Sequence, residues 1–188
     1  RQAQMYETLC NYIDFPIYKD PKIDFIGFDD PLDCESQEAI DEMEIAASKV
    51  RECWGVPSGP IKDLQYLLEQ NGILVTGFSI DEDKIDAFGQ RTIVDNADVF
   101  LIAVALGSRP ECRLRFDMAH ELGHILLHTW GEDNEEISRD EFNAREKQAN
   151  MFASALLLPK KSFSKSVSAY PTNIDCLLYT SPSPRDCS

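Results

Sequence analysis

No apolar run in this chain approaches the roughly 20 residues that a bilayer-spanning helix needs, and no helical membrane span is expected. No Cys-x-x-Cys pair occurs. Cys10, Cys34, Cys53 and Cys112 are therefore read as ordinary thiols rather than ligands, reduced in a cytosolic setting. Basic side chains are few: 18 Lys and Arg against 33 Asp and Glu, a net charge of −15. That balance argues against a polyanion such as DNA as the direct partner of this segment and favours basic or neutral partners. The opening stretch RQAQMYETLC has no apolar core, so no signal peptide is expected and the cytoplasm is the default location. Because the chain starts at Arg1 rather than Met, a fragment of a longer protein is expected.

What is present is enough for a folded domain. Hydrophobic residues make up 43% and aromatics 10% of 188 residues, which suits a globular core rather than disorder. Residues 1–35 carry Pro16, Pro21 and Pro31 among several aspartates and read as a short helix followed by a linker-like segment. A main domain is expected over 36–175. The last stretch, CLLYTSPSPRDCS, resembles a translated sequencing adapter, so 176–188 is expected to be a non-native tail.

From Ser36 the apolar residues Ile40, Met43, Ala47, Val50 and Trp54 recur at helical spacing until Gly55. SGPIKDLQYLLEQNG reads as a second helix, with Pro60 suited to its first turn, Leu64, Leu67 and Leu68 on one face, and Gly72 as its stop. Three short apolar runs follow, at 73–80, 84–93 and 99–107, and suggest an antiparallel meander. A helix is expected over about 112–129, then the acidic loop GEDNEE. A last long helix starts at Ser138, whose spacing to Glu141 makes a capping box, and stops at Pro159. The fold class is α+β: helices on a small three-stranded antiparallel sheet, zincin-like in carrying an HExxH helix.

The chemistry is concentrated in FDMAHELGHILLH, residues 116–128, which holds all three histidines of the chain. On a helix, His120, Glu121, His124, His128 and Asp117 fall within an arc of about 100°. The rest of the circumference is apolar, so the helix should be largely buried. A buried polar group without a partner costs roughly 2 kcal/mol or more, and a bound Zn2+ satisfies several at once. Residues four apart lie about 6 Å apart along the axis, so the imidazoles of His120 and His124 can converge on one ion. Glu121 is rotated off that pair and suits a general base acting on water. By residue frequencies an HExxH string arises by chance on the order of once in a hundred chains of this length. His128, about 12 Å along the axis from His120, is too far to share the ion and reads as a histidine beside the site or on the surface.

A third ligand is usual for catalytic zinc. On the last helix Phe142, Glu146, Ala149, Asn150, Ala153 and Leu157 share a mostly apolar face. A carboxylate on a core-facing stripe needs a cation, so Glu146 is the candidate, with Asn150 one turn on to orient it. The competing reading pairs Glu146 with Arg115. Gly123, costly in a helix by roughly 1 kcal/mol, reads as a point of close helix approach. VFLIAVALG reads equally as an exposed edge strand along which an extended substrate lies or as a buried central strand.

These residues resemble the ImmA/IrrE family of metallo-endopeptidases. RFDMAHELGHILLH resembles the family's active-site helix, EKQANMFASALLLP its second metal-binding helix, and RECWGVPSGPIKDLQYLLEQNGILV the segment before the sheet. The likeness covers about residues 36–162. It implies zinc ligands at His120, His124 and Glu146 and a general base at Glu121. It also implies a cytoplasmic protease that inactivates a helix-turn-helix repressor by a single cleavage, in some members fused to a DNA-binding domain that this fragment has lost. The competing reading is a transcriptional regulator that uses the domain as a sensor or partner-binding module without proteolysis. Neither direct nucleic-acid contact by this segment nor a membrane association is expected.

Overall fold

The computed structural model describes residues 15–24, 36–56, 58–78, 86–94, 97–107, 110–128 and 137–166. The short N-terminal helix, the GEDNEE loop, the adapter-like tail and the cysteines at 10, 34, 176 and 187 lie outside the described residues. Among the described residues five helices and three strands make an α+β fold, in the order α1 (Gln37–Cys53), α2 (Leu64–Gln70), β1 (Ile73–Phe78), β2 (Ala87–Val94), β3 (Ala97–Ala105), α3 (Glu111–Leu127), α4 (Arg139–Leu157) and α5 (Lys160–Ser166).

Local chemistry explains most boundaries. The Ser36 side chain accepts from the Ala39 N–H at 3.1 Å and starts α1. Ser138 does the same for the Glu141 N–H at 3.1 Å and starts α4 at the expected capping position. The second helix begins later than the position of Pro60 suggests. Asp63 is its cap, accepting from the Tyr66 N–H at 2.9 Å, so Pro60 lies in the approach rather than in the first turn. Gly72 leaves that helix at a φ of +82°, and a Cβ there would collide with the Tyr18 and Ile17 backbone. The extended residues 15–24 are thus laid against the α2–β1 turn. The Lys19 N–H donates to the Asn71 carbonyl at 3.0 Å, and the Trp54 indole donates to the Lys19 carbonyl at 3.0 Å.

The sheet departs from the expected meander. Its order is β1–β3–β2, with β3 parallel to β1 and antiparallel to β2, so it is mixed rather than purely antiparallel. The cause lies in β3. Every residue from Val99 to Ala105 is buried, which suits a strand flanked on both edges and covered on both faces. The edge-strand reading of this segment is therefore wrong, and β2 is the strand whose outer edge lies beside α3. Met43, Val50, Leu64, Leu68, Ile73, Ile102, Leu122, Phe152 and Leu156 are fully buried between the helices and one sheet face. Ile40, expected on the inner face of α1, is instead 38% exposed, and alanines at 39, 46 and 47 line that face. The small side chains let α4 lie close against α1.

A buried charge ties this layer together. Arg51 is 6% exposed and donates to the Leu156 carbonyl at 2.7 Å and to the Gly59 carbonyl. It thereby satisfies a carbonyl in the last turn of α4, where the helix leaves acceptors without internal donors.

Candidate metal centre and catalytic cleft

Side chains four apart share a helix face. Phe116, His120 and His124 accordingly form one row on α3, His128 continues it from the C-cap, and α4 crosses it. The crossing is close because position 123 has no side chain: a Cβ there would sit 3.1 Å from the Ala149 Cα and 3.2 Å from Phe152 Cδ1. The expected role of Gly123 is met, and Glu146 is carried against the histidine row.

The resulting cluster is compact. His120 Nε2 and His124 Nε2 are 3.0 Å apart. Glu146 Oε1 lies 3.2 Å from His124 Nε2, and Glu146 Oε2 lies 3.5 Å from His120 Nε2. Ligands held tetrahedrally at about 2.0–2.2 Å from one ion stand about 3.3 Å from one another, and the two imidazole nitrogens and the Glu146 carboxylate, with one oxygen towards each ring, stand at comparable separations. Among the described residues this is the group of His, Cys, Asp and Glu side chains that could hold a metal ion. Two imidazole nitrogens and a carboxylate oxygen, with one corner facing a cleft, make a donor set suited to a divalent cation that keeps an open position.

Each imidazole is held from behind. His120 Nδ1 lies 3.1 Å from Asn150 Oδ1. His124 Nδ1 lies 3.0 Å from His128 Nδ1, and His128 Nε2 lies 3.0 Å from Gln148 Oε1. Asn150, expected to orient Glu146, orients a histidine instead, because one turn along α4 brings it over His120. His128 is not placed to bind the same ion, since it faces the nitrogen of His124 that points away from the cluster. Arg115, the competing partner for Glu146, instead donates to the carbonyls of Ile61 and Lys62.

The electrostatics follow from this packing. Polar contacts with the His120 and His124 imidazoles hold the Glu146 carboxyl well below the usual carboxylate range, against the opposing effect of burial. Burial works to lower the His120 pKa, but the hydrogen bond and charge of Glu146 outweigh it and the net direction is up. For His128 burial dominates and brings the pKa down to about 4. Glu121 moves the other way: burial raises its pKa, while the two imidazoles and a hydrogen bond from the Gly89 backbone N–H act to lower it.

That last contact shows how β2 serves the site. Ala105 N–H donates to the Asp86 carbonyl at 2.9 Å, and Ala87 pairs with Val104 and Gly89 with Ile102. Antiparallel pairs alternate between hydrogen-bonded and open, so the main-chain groups of Ala87, Gly89 and Arg91 face away from β3. Gly89 N–H meets Glu121 there. The cleft beyond, of about 1250 Å³, is lined by β2, by the histidine row and by the start of α4. Phe142, expected in the core, is 51% exposed on its wall, one turn before Glu146. Gly89 and Gln148 are the members of this arrangement that the sequence did not single out. A backbone N–H leaves no mark in sequence, whereas Gln148, polar on the buried side of α4, does.

Comparison with known proteins adds one result. A search of curated proteins finds no match. Among protein families, residues 69–176 match the IrrE N-terminal-like domain of peptidase family M78. The matched stretch spans all three strands and both helices of the cluster, and more than half of the 188 residues. The chain therefore belongs to the M78 peptidase family, as a protein with an IrrE N-terminal-like domain.

Proposed function

We propose that the protein is a zinc-dependent endopeptidase in which His120, His124 and Glu146 hold the metal and Glu121 is the general base. Family membership supports a metallopeptidase-type function. The observation that carries the assignment is the set of mutual separations of 3.0, 3.2 and 3.5 Å among the three donor groups, with Glu121 beside them at the edge of the cleft. When bound, the cation supplies Lewis acidity, polarising the scissile carbonyl and making the attacking water easier to deprotonate.

The protein's own groups do the rest. Glu121 takes a proton from the attacking water and can return it to the leaving amine. Burial raises its affinity for that proton, and the Gly89 N–H fixes its position. The outward main-chain groups of Ala87 and Arg91 offer an extended peptide a ladder beside β2. The exposed ring of Phe142 gives the cleft an apolar wall. The target consistent with the resemblance to ImmA/IrrE proteins is a helix-turn-helix repressor cut once in the cytoplasm; a basic repressor also suits a chain of charge −15.

Replacing Glu121 with Gln tests the reading. The variant is expected to keep zinc and fold while losing cleavage of a repressor-derived polypeptide by a factor of at least about 10². Unchanged cleavage would remove Glu121 from the chemistry. A wild-type protein that holds zinc but cuts no peptide would favour a sensor or partner-binding module.

A further inference from the structure

We propose that His128 is a positioning residue: with Gln148 it sets which nitrogen of His124 faces the metal. The inference deepens the metalloprotease reading and rests on it. It starts from two contacts in series, His124 Nδ1 to His128 Nδ1 at 3.0 Å and His128 Nε2 to Gln148 Oε1 at 3.0 Å. A neutral imidazole carries one hydrogen and donates from one nitrogen only.

The polarity of the chain then follows. For His124 to offer Nε2 to a cation, its hydrogen must sit on Nδ1. His128 must accept that hydrogen bond at its own Nδ1, so its hydrogen sits on Nε2. Gln148 must present its carbonyl oxygen to receive it, which is the orientation found. Running the chain backwards would put a hydrogen on His124 Nε2, where it blocks the metal. Gln148 is 2% exposed on α4, so its amide is clamped by packing and acts as the fixed end of the relay. His120 needs no such relay, because Asn150 Oδ1 accepts from its Nδ1 directly at 3.1 Å. The two ligands from α3 are thus oriented by two different positions of α4, and the third ligand, Glu146, comes from the same helix.

The test uses Co2+ as probe, read by its ligand-field absorption and by competition with a chromophoric chelator. His128→Phe keeps a planar ring but removes the acceptor. It is expected to weaken Co2+ binding by roughly 10–100-fold and to change the ligand-field spectrum. His128→Asn restores an acceptor at the δ position and is expected to recover most of the affinity. Gln148→Met, close in shape but without the fixed carbonyl, is expected to lower affinity in the same direction and covers the case in which His128→Phe does not fold. Wild-type affinity and spectrum in both His128→Phe and Gln148→Met overturn the relay. A Glu146→Ala variant that binds Co2+ as tightly as the wild type overturns instead the metal centre on which the relay depends, and the relay with it.

Discussion

Glu146 stands out in the sequence as a carboxylate among the mostly apolar residues of one helix face, and the fold brings it to 3.2 Å from His124 Nε2. The same logic failed for Phe142, because helical periodicity reports which residues share a face and not whether that face meets a core or a cleft. It could not reach Gly89 at all, since the group that matters there is a main-chain N–H common to nearly every residue. Tyr18 offers a test at this scale, away from the metal cluster. Its ring lies 4.7 Å from that of Phe100, and burial, then the charges of Asp20 and Asp98, raise its pKa above the ordinary value of 10.0. A group with a raised folded-state pKa gives stability that is present below its unfolded pKa and lost as pH rises towards and through the folded one. Stability should therefore hold up to about pH 10 and decline above it. Tyr18→Phe should decline less steeply than wild type in urea titrations on the alkaline side. Parallel slopes in the two proteins would show that the phenol does not contribute.

At the scale of elements, caps were the most legible features. Ser138 announced its helix because a short side chain with an oxygen satisfies the first free N–H groups; Ser36, read only as the point where helical spacing begins, caps its helix in the same way. Asp63 was masked by Pro60, which has an equally good reason to precede a helix. The strands were legible as strands but their neighbours were not: alternation reports faces, and pairing order is decided by packing at a distance. The uninterrupted apolar run of β3 was the available sign of its central place. The crossing of α3 over α4 makes the sharpest prediction here. Gly123→Leu must push its new side chain into the Ala149 backbone, so it should cost about 1–3 kcal/mol by urea denaturation. Metal affinity should fall with it, because the same displacement carries Glu146 away from His120 and His124. A stable Gly123→Leu protein with unaltered metal binding would show that the close approach is not what delivers the ligand.

At the scale of the whole molecule, the charge of −15 and the 43% hydrophobic content described a folded acidic domain but said nothing of its topology. Among the described residues no helix is long and apolar enough to cross a membrane. The cluster of His120, His124 and Glu146 joins two consecutive helices of the core, so a cation bound there should stabilise the fold globally. At free zinc about a thousandfold above its dissociation constant the gain is about 4.1 kcal/mol. The melting temperature should fall when EDTA is added to wild type and stay fixed in Glu146→Ala; equal shifts in both would place the stabilising ion elsewhere. The strand order has a consequence of another kind, in time rather than space. Val94 meets Ala97 across a short link, whereas Ile73 has to find Phe100. Loop closure is cheap for the first pairing and dear for the second. The β2–β3 ribbon, with α3 next in the chain, is thus the natural early assembly during refolding, and β1 is the late arrival. Changes in the ribbon should slow refolding, while changes in β1 should mainly hasten unfolding, so the outer strand edge and the HExxH helix are expected to take shape before the strand that closes the sheet.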